Sequence, residues 1–113
     1  MHALIIEDES LIAMAIEDAL RGCGFATFDF AGSITDAVEA ARRRCPDLVT
    51  SDVQLAPGCG IEAICADKPI PVVFITGTAA QVEDRLGAHI VVHKPFGAEH
   101  ILAAVQRAVG HAR

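Results

Sequence analysis

The chain has 113 residues, of which 52% are hydrophobic and 4% aromatic, and its formal net charge is −6. This length predicts one domain, and its apolar content is ample for a buried central sheet. The acidic balance argues against a nucleic-acid or anionic-membrane surface, and no apolar stretch approaches the ~20 residues that a membrane span needs. The four cysteines show no C-x-x-C spacing, so we expect a reduced, cytoplasmic protein.

Apolar runs rich in Val, Ile and Phe alternate along the chain with segments of helical period. This alternation predicts repeated β-α units around a parallel sheet. The predicted strands cover 3–7, 25–30, 48–52, 72–76 and 90–93. The predicted helices cover 10–21, a segment after the N-cap Ser33 that ends before Cys45, 61–66, a weak stretch at 79–86, and 98–109, whose buried side carries Ile101, Leu102, Val105 and Val109.

Five units of this size predict a single α/β domain over residues 1–113, with the flavodoxin-like (βα)5 arrangement. This is a doubly wound parallel sheet with strand order 2-1-3-4-5. The carboxyl ends of the strands then share one edge, where open α/β sheets place their ligand sites, and the ends of the first and third strands lie side by side.

Acidic residues occupy two of these strand ends: Glu7 and Asp8 follow the first run, and Asp52 ends the third. Three neighbouring carboxylates resist ionisation unless a cation joins them. Mg²⁺ prefers oxygen ligands and keeps several waters. We therefore predict a Mg²⁺ site with Asp8 and Asp52 as direct ligands, Glu7 bound directly or through water, and the main-chain carbonyl of Gln54 as a further ligand.

A hydroxyl and an ammonium stand at the remaining strand ends, as Thr76 and Lys94. A carboxylate can form an aspartyl-phosphate intermediate, which makes Asp52 the candidate nucleophile. Phosphoryl transfer needs charge stabilisation on the equatorial oxygens, and Lys94, Thr76 and the metal could supply it. We predict a cis peptide bond before Pro95, which would direct the lysine toward the site.

Four segments of this sequence together resemble the receiver domain of two-component response regulators, over essentially the whole chain. The resemblance implies that Asp52 accepts a phosphoryl group from a histidine kinase or a histidine phosphotransfer protein, with Mg²⁺ as cofactor. It implies a signalling domain rather than an enzyme, one that takes part in its own Mg²⁺-dependent phosphorylation and dephosphorylation. The matching segments are Leu4-Ile5-Ile6-Glu7-Asp8-Glu9, Pro46-Asp47-Leu48-Val49-Thr50-Ser51-Asp52, Pro71-Val72-Val73-Phe74-Ile75-Thr76-Gly77 and Lys94-Pro95-Phe96.

The chain departs from the family three positions before the lysine, where receivers usually carry Tyr or Phe and this sequence has Val91. The usual threonine–aromatic switch cannot operate as such. The fourth strand resembles instead a receiver subgroup that reads Phe-Ala-Thr-Gly, which adds Gly77 to the expected phosphate-contacting residues. We expect the switch to be an ordering of segment 77–89 around the phosphoryl group.

Partner contacts are expected beside the site, at Leu11 and Met14 on the outer side of the first helix and at Phe96. A monomer or weak dimer is expected, in contact with neither nucleic acid nor membrane. His2, His89, His100 and His111 share no metal spacing and are expected at the surface.

Two other functions stay open. A haloacid-dehalogenase-like phosphatase also uses an aspartate nucleophile and Mg²⁺, although it places a second aspartate where this chain has Gln54. A pseudo-receiver that has lost phosphorylation would keep the fold without the chemistry. We expect a stand-alone receiver without an output domain, although an excised domain of a longer regulator would have the same sequence features.

Overall fold

The computed structural model describes residues 1–52, 70–77 and 90–112, with side chains up to Val109. Gln54, the predicted helices at 61–66 and 79–86, and most of segment 77–89 lie outside the described residues. The described strands are β1 His2–Ile6, β2 Thr27–Ala31, β3 Leu48–Asp52, β4 Val72–Thr76 and β5 Ile90–His93. The described helices are α1 Ser10–Gly22, α2 Ile34–Arg43 and the C-terminal helix Ala98–Ala112.

The five strands form one parallel sheet in the order β2-β1-β3-β4-β5, which confirms the flavodoxin-like prediction. The central strand β3 is buried along its whole length, as a strand with helices on both faces must be. One core cluster lies between the sheet and the pair formed by α1 and the C-terminal helix. A second lies between the sheet and α2.

Local signals in the sequence account for the helix ends. The hydroxyl of Ser33 accepts a hydrogen bond from the main-chain N–H of Asp36 at 3.2 Å, which is the predicted N-cap of α2. After α1 the chain reverses at Gly24, whose φ of +97° is a left-handed conformation that favours glycine. In the C-terminal helix, Ile101 and Val105 are buried as predicted, whereas Leu102 is 41% exposed, so the prediction for Leu102 is wrong.

His2 is buried, at 4% exposure, and the expectation that it lies on the surface is wrong. His2 lies on β1, and its ring contacts two residues of β2: Nδ1 is 3.0 Å from the hydroxyl of Thr27, and Nε2 is 2.9 Å from the carboxylate of Asp29. Its main-chain N–H donates to Asp47 Oδ2 at 2.8 Å, and its carbonyl accepts from the Asp47 N–H at 2.7 Å. These bonds satisfy a polar residue that would otherwise be costly to bury.

The cysteines differ from one another. Cys23 is a free thiol that donates to the carbonyl of Ala19 at 3.3 Å, and burial raises its pKa. Cys45 is disulfide-bonded, so the expectation of a fully reduced protein is wrong at this position. Spacing along the chain does not show which sulfur atoms the fold brings together. Among the described residues, none of the helices has the length and apolar character that crossing a bilayer requires.

Candidate phosphoryl and metal site

The register of the sheet brings the predicted site residues to one edge. Ile6 of β1 pairs with Ser51 of β3, so Glu7 and Asp8 emerge beside Asp52. Ligand oxygens of these three carboxylates all lie within 4.8 Å of one another. Glu7 and Asp52 are buried, each at 6% exposure, while Asp8 is exposed. The group is therefore a pocket with a buried floor and one carboxylate at its opening to solvent.

Lys94 bridges the two buried carboxylates. Its Nζ lies 3.4 Å from Asp52 Oδ2 and also 3.4 Å from Glu7 Oε1. The main-chain N–H of Lys94 donates to the carbonyl of Thr76 at 2.7 Å, which fixes the start of the turn that carries the lysine. The peptide bond between Lys94 and Pro95 is cis, as predicted.

The pKa of both groups is raised, although burial acts on the carboxyl and on the amine in opposite directions. Burial raises the pKa of Glu7, and Asp52 adds to the rise, while the main-chain N–H of Glu9 and the ammonium of Lys94 oppose it. For Lys94, burial alone would lower the pKa, but the charges of Glu7 and Asp52 outweigh burial and raise it. A single ammonium thus compensates part of the negative charge in the pocket.

The carboxylate of Glu7 has a hydrogen-bond donor on one side only, although the Lys94 ammonium lies 3.4 Å from its other oxygen. Its Oε2 accepts from the main-chain N–H of Glu9 at 3.2 Å, a contact that the sequence could not indicate because any residue could donate it. Its Oε1 is buried and accepts no hydrogen bond from the described residues. A buried acceptor without a donor is costly, and a hard cation would satisfy it. The three carboxylates, together with the Glu7 oxygen that lacks a hydrogen-bond donor, therefore fit a Mg²⁺ ion.

Thr76 is buried at the end of β4, at 3% exposure, beside the start of the lysine turn, and Gly77 follows it as an exposed residue. On α1, Leu11 is 82% and Met14 59% exposed. Phe96 is half-buried and packs against the core cluster beneath α1. Among the described residues, Leu11 and Met14 are therefore the large exposed apolar side chains of α1.

A doubly wound parallel sheet with an acidic pocket and a lysine at its carboxyl edge defines a phosphoryl-accepting type of signalling domain. The response regulator receiver domain family matches residues 3–106, and the chain belongs to this family. This membership confirms the resemblance found in the sequence. The further likeness to the Phe-Ala-Thr-Gly subgroup stays a prediction.

Individual relatives agree with this assignment. The phyllosphere-induced regulator PhyR of Methylorubrum extorquens is 34% identical over 94% of this chain, which spans only 42% of that protein. The solution structure of the PhyR receiver domain from Erythrobacter litoralis is 34% identical, with a TM-score of 0.80 over 99% of this chain and 92% of its own. The anti-anti-sigma factor PhyR from Bartonella quintana is 31% identical, with a TM-score of 0.76, and is covered over 47% of its chain.

Proposed function

We propose that Asp52 accepts a phosphoryl group from a histidine kinase or a histidine phosphotransfer protein, with Mg²⁺ held by Glu7, Asp8 and Asp52. One observation carries this proposal. The Lys94 ammonium lies 3.4 Å from Asp52, which is buried and is one of the three carboxylates of the pocket. Such an arrangement supplies a nucleophile, a cation site and a positive charge for the transferred group.

Each residue has a distinct part in the proposed transfer. The bond from Asp52 to phosphorus forms as the bond to the donor nitrogen breaks, and the electron pair leaves with that nitrogen. Lys94 stabilises charge on one equatorial oxygen, and Thr76 and Gly77 are proposed to contact another. When bound, Mg²⁺ would offset the charges of the three carboxylates and of the phosphoryl oxygens. The Gln54 carbonyl stays part of the predicted ligand set.

Phosphorylation would then change what the domain binds. The exposed pair Leu11 and Met14 borders the site on α1 and is proposed to contact the kinase or phosphotransfer protein. Because PhyR of Bartonella quintana is an anti-anti-sigma factor, a change in protein–protein contacts is the kind of output that we propose here. Cytoplasmic location and a monomer or weak dimer belong to the same proposal.

The proposal is tested by labelling the purified chain with acetyl phosphate in the presence and absence of Mg²⁺, followed by intact mass spectrometry. We expect one phosphoryl adduct on wild type, dependent on Mg²⁺ and mapped to Asp52. Asp52→Asn should remove the adduct, whereas Asp18→Asn, which alters an exposed aspartate of α1, should keep it. An unlabelled wild type, or equal labelling of Asp52→Asn, would show that the domain is a pseudo-receiver or uses another residue.

A further inference from the structure

Lys94 stands at the start of a short turn, Lys94–Gly97, that joins β5 to the C-terminal helix. Hydrogen bonds hold both ends of the turn. At the start, the N–H of Lys94 donates to the Thr76 carbonyl at 2.7 Å. At the end, the N–H of Gly97 donates to Nδ1 of His100 at 2.9 Å. The ammonium that faces Glu7 and Asp52 is therefore carried by a turn that is anchored on both sides.

The contact between Gly97 and His100 has the geometry of half a capping box. In that motif the side chain of the third helical residue accepts a hydrogen bond from the N–H of the residue before the helix. Glutamate or glutamine usually fills this role, but here the third residue is His100 and the acceptor is an imidazole nitrogen. The main-chain N–H of His100 also donates to the Gly97 carbonyl at 3.1 Å, so the two residues are bonded in both directions.

Glycine at position 97 makes room for a neighbouring charge. A Cβ added there would lie 2.6 Å from either oxygen of the Glu99 carboxylate, so this side chain folds directly over Gly97. A carboxylate at a helix N-terminus is favourable, whereas a positive charge there is not. Among the described residues, His93 of β5 and Arg107 of the C-terminal helix line one cavity together with His100.

We propose that His100 is a positioning residue, whose neutral imidazole fixes the turn that places the Lys94 ammonium. The bond requires a lone pair on Nδ1, so the ring carries its proton on Nε2. This inference rests on the proposed function, because Lys94 matters through the phosphoryl group that it contacts.

The test compares His100→Ala, which removes the acceptor, with His100→Gln, which restores an acceptor of the kind that a capping box usually has. We expect His100→Ala to slow Mg²⁺-dependent acetyl-phosphate labelling of Asp52 about threefold, the factor that loss of one ordinary hydrogen bond produces. His100→Gln should label at the wild-type rate.

Calorimetric titration with Mg²⁺ separates positioning of Lys94 from a general loosening of the fold. The carboxylates do not depend on His100, so His100→Ala should bind Mg²⁺ within about twofold of wild type. Two results would overturn this inference and leave the proposed function intact. One is that wild type and His100→Ala are labelled at equal rates; the other is that His100→Ala loses labelling and Mg²⁺ affinity to the same extent. A wild type that is not labelled at Asp52 would overturn the proposed function and this inference with it.

Discussion

Thr50 presents a polar group in the middle of the core. It lies on β3 between Ile5 of β1 and Val73 of β4, is 1% exposed, and its hydroxyl has no hydrogen-bond partner among the described residues. Unfolding would return this hydroxyl to water, where it is fully hydrogen-bonded. Thr50 therefore lowers the stability of the folded state, and Thr50→Val should remove this cost while keeping the branched shape.

The size of the effect follows from the burial. Leaving a buried polar group unpaired costs about 1–3 kcal/mol, and the lower end applies to a hydroxyl that can rotate. We expect Thr50→Val to raise the free energy of unfolding by about 1 kcal/mol. For a domain of this size that is a rise of about 4 °C in Tm.

Urea denaturation and thermal unfolding of the two proteins, without metal, measure this difference. Thr27→Val is the matched control, because the Thr27 hydroxyl lies 3.0 Å from Nδ1 of the buried His2. Its removal should destabilise the fold by about 1 kcal/mol, the opposite sign. A loss of stability in Thr50→Val would refute the reasoning, since it would mean that the hydroxyl is satisfied, for instance by a buried water.

Two further predictions concern the site and its rim. Because burial raises the pKa of Glu7 above 4.5, the folded chain holds this proton more tightly than the unfolded chain, and stability falls as the pH rises from about 4.5 upward. Without Mg²⁺, Glu7→Gln should therefore unfold at a higher temperature than wild type at neutral pH, and the difference should close in acid; an advantage that persists in acid would point to another cause. Added Mg²⁺ should stabilise wild type more than Glu7→Gln, as a second thermal scan would show. Leu11→Glu should slow phosphotransfer from the cognate kinase while sparing acetyl-phosphate labelling, with Leu102→Glu as an exposed-leucine control; equal losses in both assays would contradict docking at Leu11.

Three strands were predicted with the bounds that the structure gives them. The bounds of β3, β4 and β5 agree with the sequence prediction, because their apolar runs begin and end sharply. The edge strand β2 begins at Thr27 rather than at 25, since its sides are half-exposed and its pattern is weaker. The prediction for Leu102 was wrong because the helical period alone does not show how many residues around the C-terminal helix are buried against the sheet.

The site residues that stand at the ends of strands could be predicted from the sequence. Glu7, Asp8, Asp52 and Lys94 meet because parallel strands in this order must bring their carboxyl ends together. The supporting contacts could not be predicted. The N–H of Glu9 is main chain, and the acceptor role of His100 depends on the conformation of the turn rather than on residue type.

The bridge from Lys94 to Glu7 and Asp52 joins the first and third strands to the fifth, from nearly opposite ends of the sequence. During synthesis, Asp52 is added to the chain well before Lys94. The aspartate and the lysine then meet only after β4 has paired with β3 and β5 with β4. Under the proposed function, labelling of Asp52 would therefore require β5 to be in place, and a truncated product that ends before β5 should not be labelled.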